Sequence, residues 1–241
     1  MLKLQNYNLK KNKNVFLMKV VDCHWVSTGG GNGGTINTND WQIMPISNLL
    51  YPGSGPAQRV GREVLVRKFD VDCMFKQTLK GIPAGNVVRA MVFIDHLSLE
   101  DSAPDIEEVL LPSWPDVTTS ADIPVYSPLL YRQKVDSFDR FEFLFDEYIE
   151  IEPSPVTVTW DSTGSYVSNY SEIRHIPFSF SHEFEKPLKL GFPRHTGYNP
   201  GSATPSTNIY IAFLAAENRN ATFDINKVSY DINTRMFYYD V

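Results

Sequence analysis

Cysteine is scarce: Cys23 and Cys73 are the only two in 241 residues. Two are too few for a disulfide framework, and the expectation is a pair of small, buried, reduced side chains. No run of eighteen apolar residues exists, so no membrane-spanning helix is expected. The nearest approach to a signal-peptide core, Val15 to Val21, is broken by Lys19 and lacks a small-residue cleavage site after it. The N-x-S/T sites at Asn169 and Asn220 therefore stand without secretory context. Charged residues make up only 21% of the chain, which argues against a disordered polyelectrolyte. Helical spacing of apolar residues is almost absent, which argues against a bundle.

Aromatics, by contrast, reach 13%, and the chain holds 14 glycines and 16 prolines. That profile suits a compact β domain with many loops, and the length permits one domain with an ordinary core.

The net charge of −6 is unevenly spread. Lys3, Lys10, Lys11, Lys13 and Lys19 lie in the first twenty residues with no acid among them, leaving 17 basic against 28 acidic side chains beyond. A short cationic arm on an acidic body is the asymmetry of a tail that meets a polyanion; a solvated Lys/Asn-rich terminus is the plain alternative.

Alternation with period two dominates the rest. In Leu65–Thr78, Phe69, Val71, Cys73 and Phe75 share one face, and Lys68, Asp70, Asp72 and Lys76 the other. Val87–Asp95 is apolar on nearly both faces and belongs in the middle of a sheet. Arg140–Ile151 places Phe141, Phe143 and Phe145 inward, with Glu142 and Asp146 outward. Phe178, Phe180, His182 and Phe184 alternate with Ser179, Ser181, Glu183 and Glu185. Val15–Val26, Trp41–Ile46, Asn208–Ala216 and Ile225–Tyr239 bring the expectation to eight strands.

The one helix signal lies near residues 103–111. Ser102 can cap it, Pro104 fits its first turn, Asp105, Glu107 and Glu108 suit its positive end, and Pro112 stops it. Eight strands, one short helix and long Pro/Ser/Asn loops predict an all-β fold, a single eight-stranded jelly-roll β-sandwich. No internal repeat and no linker divides the chain.

Motifs with catalytic chemistry are weak. Thr28 to Gly34 is glycine-rich, but no Lys-Ser/Thr pair follows and a strand rather than a helix is expected after it, so it is no phosphate loop. The histidines share no ligand spacing; His182 lies on an apolar face and reads as a hydrogen-bonded core imidazole. No catalytic residue, metal ligand or cofactor site is assigned, a metal site assembled across loops or calcium held between subunits by acidic side chains being the alternatives. No strained turn presents a serine beside Asp95 and His96. Tyr166, Tyr170, Tyr198, Tyr210, Trp114 and Trp160 fall in or beside predicted loops, where they would serve sugar binding, subunit contact or capping of the sandwich ends.

The order of four motifs is more specific. Gly55-Pro-Ala-Gln-Arg-Val-Gly-Arg62 leads into a long strand, followed by Val88-Arg-Ala-Met-Val-Phe-Ile-Asp95, Ala103-Pro-Asp-Ile-Glu-Glu-Val-Leu110 and Arg140-Phe-Glu-Phe-Leu-Phe-Asp146. This series resembles the coat proteins of small circular single-stranded DNA viruses, the circovirus-like group, and the related coats of plant satellite viruses. The resemblance covers residues 53–150 by motif and the C-terminal third by strand pattern. It implies a non-enzymatic capsid protein: residues 1–14 as an arm facing the interior, and 15–241 as the jelly-roll domain of a virion shell assembled in a host cell. The shell would be a homo-oligomer around nucleic acid, with no membrane partner and an unidentified host receptor. Lys3, Lys10, Lys11, Lys13 and Lys19 become the nucleic-acid-binding candidates, and Arg59 and Arg62 contacts to a neighbouring subunit or the packaged strand. The arm departs from the family's long arginine-rich pattern. At about sixty copies the five lysines of the first twenty residues supply roughly 300 charges, far below one per phosphate of a genome of a thousand or more nucleotides. A lectin-like jelly-roll module is the alternative function, and a glycoside hydrolase of similar fold a third.

Overall fold

A computed structural model describes residues 17–26, 35–36, 41–78, 86–98, 103–111, 131–151, 157–160, 166–169, 175–192, 206–215 and 227–241. In chain order the strands are β1 (Lys19–Val26), β2 (Thr35–Ile36), β3 (Gln42–Pro45), β4 (Glu63–Thr78), β5 (Asn86–Asp95), β6 (Leu110–Leu111), β7 (Arg132–Gln133), β8 (Phe141–Ile151), β9 (Thr157–Trp160), β10 (Tyr166–Asn169), β11 (His175–Gly191), β12 (Asn208–Ala215) and β13 (Lys227–Asp240). One helical turn, α1 (Ile106–Val109), precedes β6, and 3-10 turns cover Ser47–Leu49 and Val135–Ser137.

Eight of these strands build two antiparallel sheets. One runs β1-β13-β4-β11, with β2 added on β13, and the other β3-β12-β5-β8. Counting the eight in chain order, the first sheet takes the first, eighth, third and sixth, and the second takes the second, seventh, fourth and fifth. This winding from sheet to sheet is the jelly roll, and all eight expected strands take part in it.

Side-chain alternation builds the space between the sheets. Val64, Val66, Phe69, Val71, Cys73 and Phe75 of β4 meet Val88, Ala90, Val92 and Ile94 of β5 and Ile209, Ile211, Phe213 and Ala215 of β12 in one cluster. Phe75 meets Phe213 edge-on across the gap at 5.1 Å, and Phe145 meets Phe178 at the same separation. The other face of the second sheet carries its own cluster. Met91, Phe93, Tyr210, Ala212 and Leu214 are covered there by Trp41, Val109, Leu110 and Phe141. Two covered faces explain why β5 and β12 are apolar on both sides.

Two local expectations change. The helix is a single turn with Asp105 at its N-cap and no side-chain capping bond; Ser102 lies outside the described residues, and Leu110–Leu111 pairs with Arg132–Gln133 as strand. Four helical residues do not nucleate on their own, so burial of Val109 and Leu110 holds the turn in place.

In β8, the register shifts where Val92 faces Phe145 but Phe93 faces Phe143, leaving Leu144 as the extra residue. One inserted residue reverses the phase of a strand. Phe141 and Phe143 consequently join the outer cluster, while Leu144 and Phe145 pack on the core between the sheets. Asp146 keeps its outward position, and Glu142 stays exposed with its carboxylate 3.0 Å from His96 Nε2.

Candidate interaction surface

The antiparallel registers bring the starts of β1, β4, β8 and β12 to the same end as the finishes of β3, β5, β11 and β13. Backbone bonds tie the segments beyond these strands together. Phe192 N donates to Arg62 O at 2.7 Å, Ser206 N to Gly191 O at 2.8 Å, Ser98 N to Ser206 O at 3.1 Å and His96 N to Arg140 O at 2.8 Å.

The Gly53–Arg62 stretch is a joint at this end. Gly53 N donates to Arg59 O and Arg59 N to Tyr51 O, both at 3.0 Å, and Gln58 Oε1 accepts from Gly55 N at 2.9 Å. Arg59, weighed from the sequence as a contact to a neighbouring subunit or the packaged strand, is 5% exposed and forms a strut of the joint. Its Nε donates to Leu50 O at 2.9 Å, its Nη1 to Gly61 O at 2.8 Å, and its guanidinium stacks 3.9 Å over the Phe192 ring. Burial lowers its pKa, opposed by Asp240 and Tyr238. Gly61 is needed for space rather than for a left-handed backbone, since a Cβ there would lie 2.9 Å from Val241 O. Arg62, by contrast, is exposed and makes no ion pair among the described residues.

Lys3, Lys10, Lys11 and Lys13 lie outside the described residues. Lys19 opens β1 with its ammonium engaged in the body, 2.6 Å from Asp240 Oδ2 and donating to Gln58 O at 2.8 Å.

The other three motifs meet along the second sheet and α1. Arg89, buried on the outer face of β5, makes a bidentate pair with Asp146 of β8 and donates to Tyr131 O. Arg140 makes a second bidentate pair with Asp95, both bonds 3.0 Å, and reaches Glu108 of α1 at 3.0 Å. The carboxylate of Asp95 also accepts from Leu97 N at 3.0 Å. Each strand carries Arg and Asp six residues apart, so the antiparallel pair crosses both and clamps α1 to the sheet.

Large apolar side chains cluster at this end. Eight of the nine exposed ones among the described residues lie here: Leu17, Met18, Tyr51, Val60, Leu97, Val135, Phe138 and Val241. All but Tyr51 fall into two groups. Leu17, Met18, Val60 and Val241 surround the Lys19–Asp240 pair as a ridge, with Val60 N donating to Asp240 Oδ1 at 3.2 Å. Leu97, Val135 and Phe138 belong to the segments that form an open groove of about 520 Å³, lined by His96, Gln133, Phe138, Asp139, Phe141, Glu142 and Phe143. His96 Nε2 and Glu142 Oε2 stand 3.0 Å apart on its rim.

Several residues weighed from the sequence fall elsewhere. Tyr210, expected beside a loop, is buried in β12 and stacks on Phe93 at 5.5 Å. Trp160 and Tyr166 are register partners in the β9–β10 pair, while Trp114, Tyr170 and Tyr198 lie outside the described residues. His182 sits in an aromatic slot with Phe180 and Phe184, where burial lowers its pKa against an opposing pull from Glu142. Asp22 pairs with Arg235 through two bonds of 2.6 and 2.8 Å. The double clamp escaped the sequence reading because its partners are 57 and 45 residues apart; the repeated Arg-x5-Asp spacing was its only local sign.

No protein-family model and no curated protein matches the chain. Among solved structures, a chain of Desmodium yellow mottle tymovirus aligns over 98% of this chain and 95% of its own, at 9% identity and a TM-score of 0.36. The 60-mer BFDV capsid protein aligns over 93% and 91%, at 8% identity and a TM-score of 0.23. Likenesses this distant carry no weight, and the jelly roll rests on the strand order of the chain itself.

Proposed function

We propose that this chain is a viral capsid protein, acting without catalysis by self-assembly into an icosahedral shell of about sixty copies around a nucleic-acid genome. The observation that carries the reading is an eight-stranded jelly roll with exposed apolar side chains gathered at one end. Jelly rolls serve capsids, lectins and cupins alike, so the fold by itself does not choose among them. Clustered apolar exposure favours association, because a monomer gains nothing by keeping such groups in water. The order of the four motifs supports the same choice: three of them form one clamped unit and the fourth forms the joint. Closed symmetry multiplies modest contacts, so each interface can be small and partly polar. The lysines before β1 are the genome-facing charges of this reading, and the virion is its location.

Sedimentation and negative-stain microscopy of the purified chain test the proposal. Closed particles of uniform size are expected. Monomers or small oligomers under every assembly condition would refute it.

A further inference from the structure

We propose that the groove beside Phe138 receives the Val60–Val241 ridge of a second copy of this chain. The partner's identity rests on the shell-forming reading; the surfaces themselves are read from the fold. Groove and ridge lie at one end of the sandwich but on different segments, one built from His96, Gln133, Phe138, Asp139 and the start of β8, the other from the joint and the flanks of β1 and β13. The groove is lined by Phe138, Phe141 and Phe143, and the ridge carries exposed Val60, Met18 and Val241, so each offers apolar surface to the other.

Their charges match as well. Arg62, two residues from Val60, is exposed and without an ion pair among the described residues, whereas the groove rim carries Asp139 and Glu142. Docking the ridge brings the Arg62 guanidinium to an acidic rim, which sets orientation as the apolar contact supplies affinity. A surface that meets a different surface makes a head-to-tail contact, and such a contact closes into a ring when its rotation allows. Two copies of the ridge facing each other would instead oppose two Arg62 side chains.

The test uses the full chain with Val60→Glu and, separately, Phe138→Glu. Val60 is 73% and Phe138 54% exposed, so neither change enters the core. Each variant is expected to lose self-association by more than ~10-fold in sedimentation velocity with an unchanged melting temperature. Mixed in equal amounts, the two should form a 1:1 heterodimer and nothing larger, since each retains one of the two surfaces. Arg62→Glu should weaken association, and adding Asp139→Arg should restore it. As a second measure, Val60→Cys mixed with Phe138→Cys should form a disulfide-linked dimer under mild oxidation. Undiminished self-association of Phe138→Glu, or a mixture that stays monomeric while the cysteine pair stays unlinked, overturns the proposal. If the wild-type chain makes no shells and the mixed variants still pair, the capsid reading fails and this one stands; shells indifferent to both substitutions give the reverse.

Discussion

Arg89 and Asp146, 57 residues apart in the chain, meet fork to fork: Nε to Oδ1 and Nη2 to Oδ2, both at 2.6 Å. The arginine is nearly buried, and the aspartate keeps about a third of its side chain in water. With Arg140 and Asp95 crossing the same two strands, the pair forms half of a double clamp.

Removing one partner of a buried pair leaves the other charge desolvated, which costs more than the pair itself contributes. Asp146→Asn should therefore destabilise the fold by about 2 kcal/mol, below the value for a fully buried pair because water reaches the carboxylate. Replacing both residues, as in Arg89→Met with Asp146→Leu, should cost less than the single change. Urea unfolding monitored by fluorescence decides it, and a single variant as stable as wild type would contradict the clamp.

Gly61 offers a steric test. Its absent Cβ would stand 2.9 Å from the carbonyl oxygen of Val241, whose own N–H is bonded to Glu63 O at 3.2 Å. Gly61→Ala should lower the melting temperature by about 2–4 °C, the equivalent of ~1 kcal/mol in a domain of this size. Deleting Val241 from that variant should recover part of the loss. A melting temperature unmoved by Gly61→Ala would show that the terminus yields freely.

The half-buried His182 makes stability depend on pH. Burial holds its folded pKa below the ordinary value, so the unfolded chain binds the proton more readily. The resulting stabilisation is fully present above the unfolded pKa near 6.5 and is lost as pH falls through it toward the folded value. Glu142, which also faces His96, opposes the shift and makes the loss gradual. His182→Phe should flatten the melting temperature between pH 7.5 and 5.5. An equal slope in wild type and variant would remove His182 as the cause.

On the proposed capsid function, deleting residues 1–14 should leave particles intact and lower their nucleic-acid content, because Lys3, Lys10, Lys11 and Lys13 leave while Lys19 stays bound to Asp240. The absorbance ratio at 260 and 280 nm of purified particles measures this, and an unchanged ratio would assign packaging to other residues.

Periodicity and turn chemistry are local, and on them rests what the sequence determined by itself. Alternating Phe69, Val71, Cys73 and Phe75 announced β4, the doubly apolar run 87–95 announced a central strand, and Pro and Gly marked the joint before β4. Eight strands in a chain with one helix signal left few solutions besides a two-sheet sandwich. Tertiary structure decided whatever depends on residues far apart in the chain. The extra residue at Leu144 moved Phe141 and Phe143 to the second cluster, since register is set by the partner strand and not by the strand's own pattern. Arg59 was drawn inward because the carbonyls of Leu50 and Gly61 and the ring of Phe192 converge where its charge can be satisfied out of water. The two Arg-x5-Asp strands became a clamp only by lying antiparallel side by side. The apolar groups of the ridge and the groove became two surfaces only because the winding of the jelly roll carries those segments to one end.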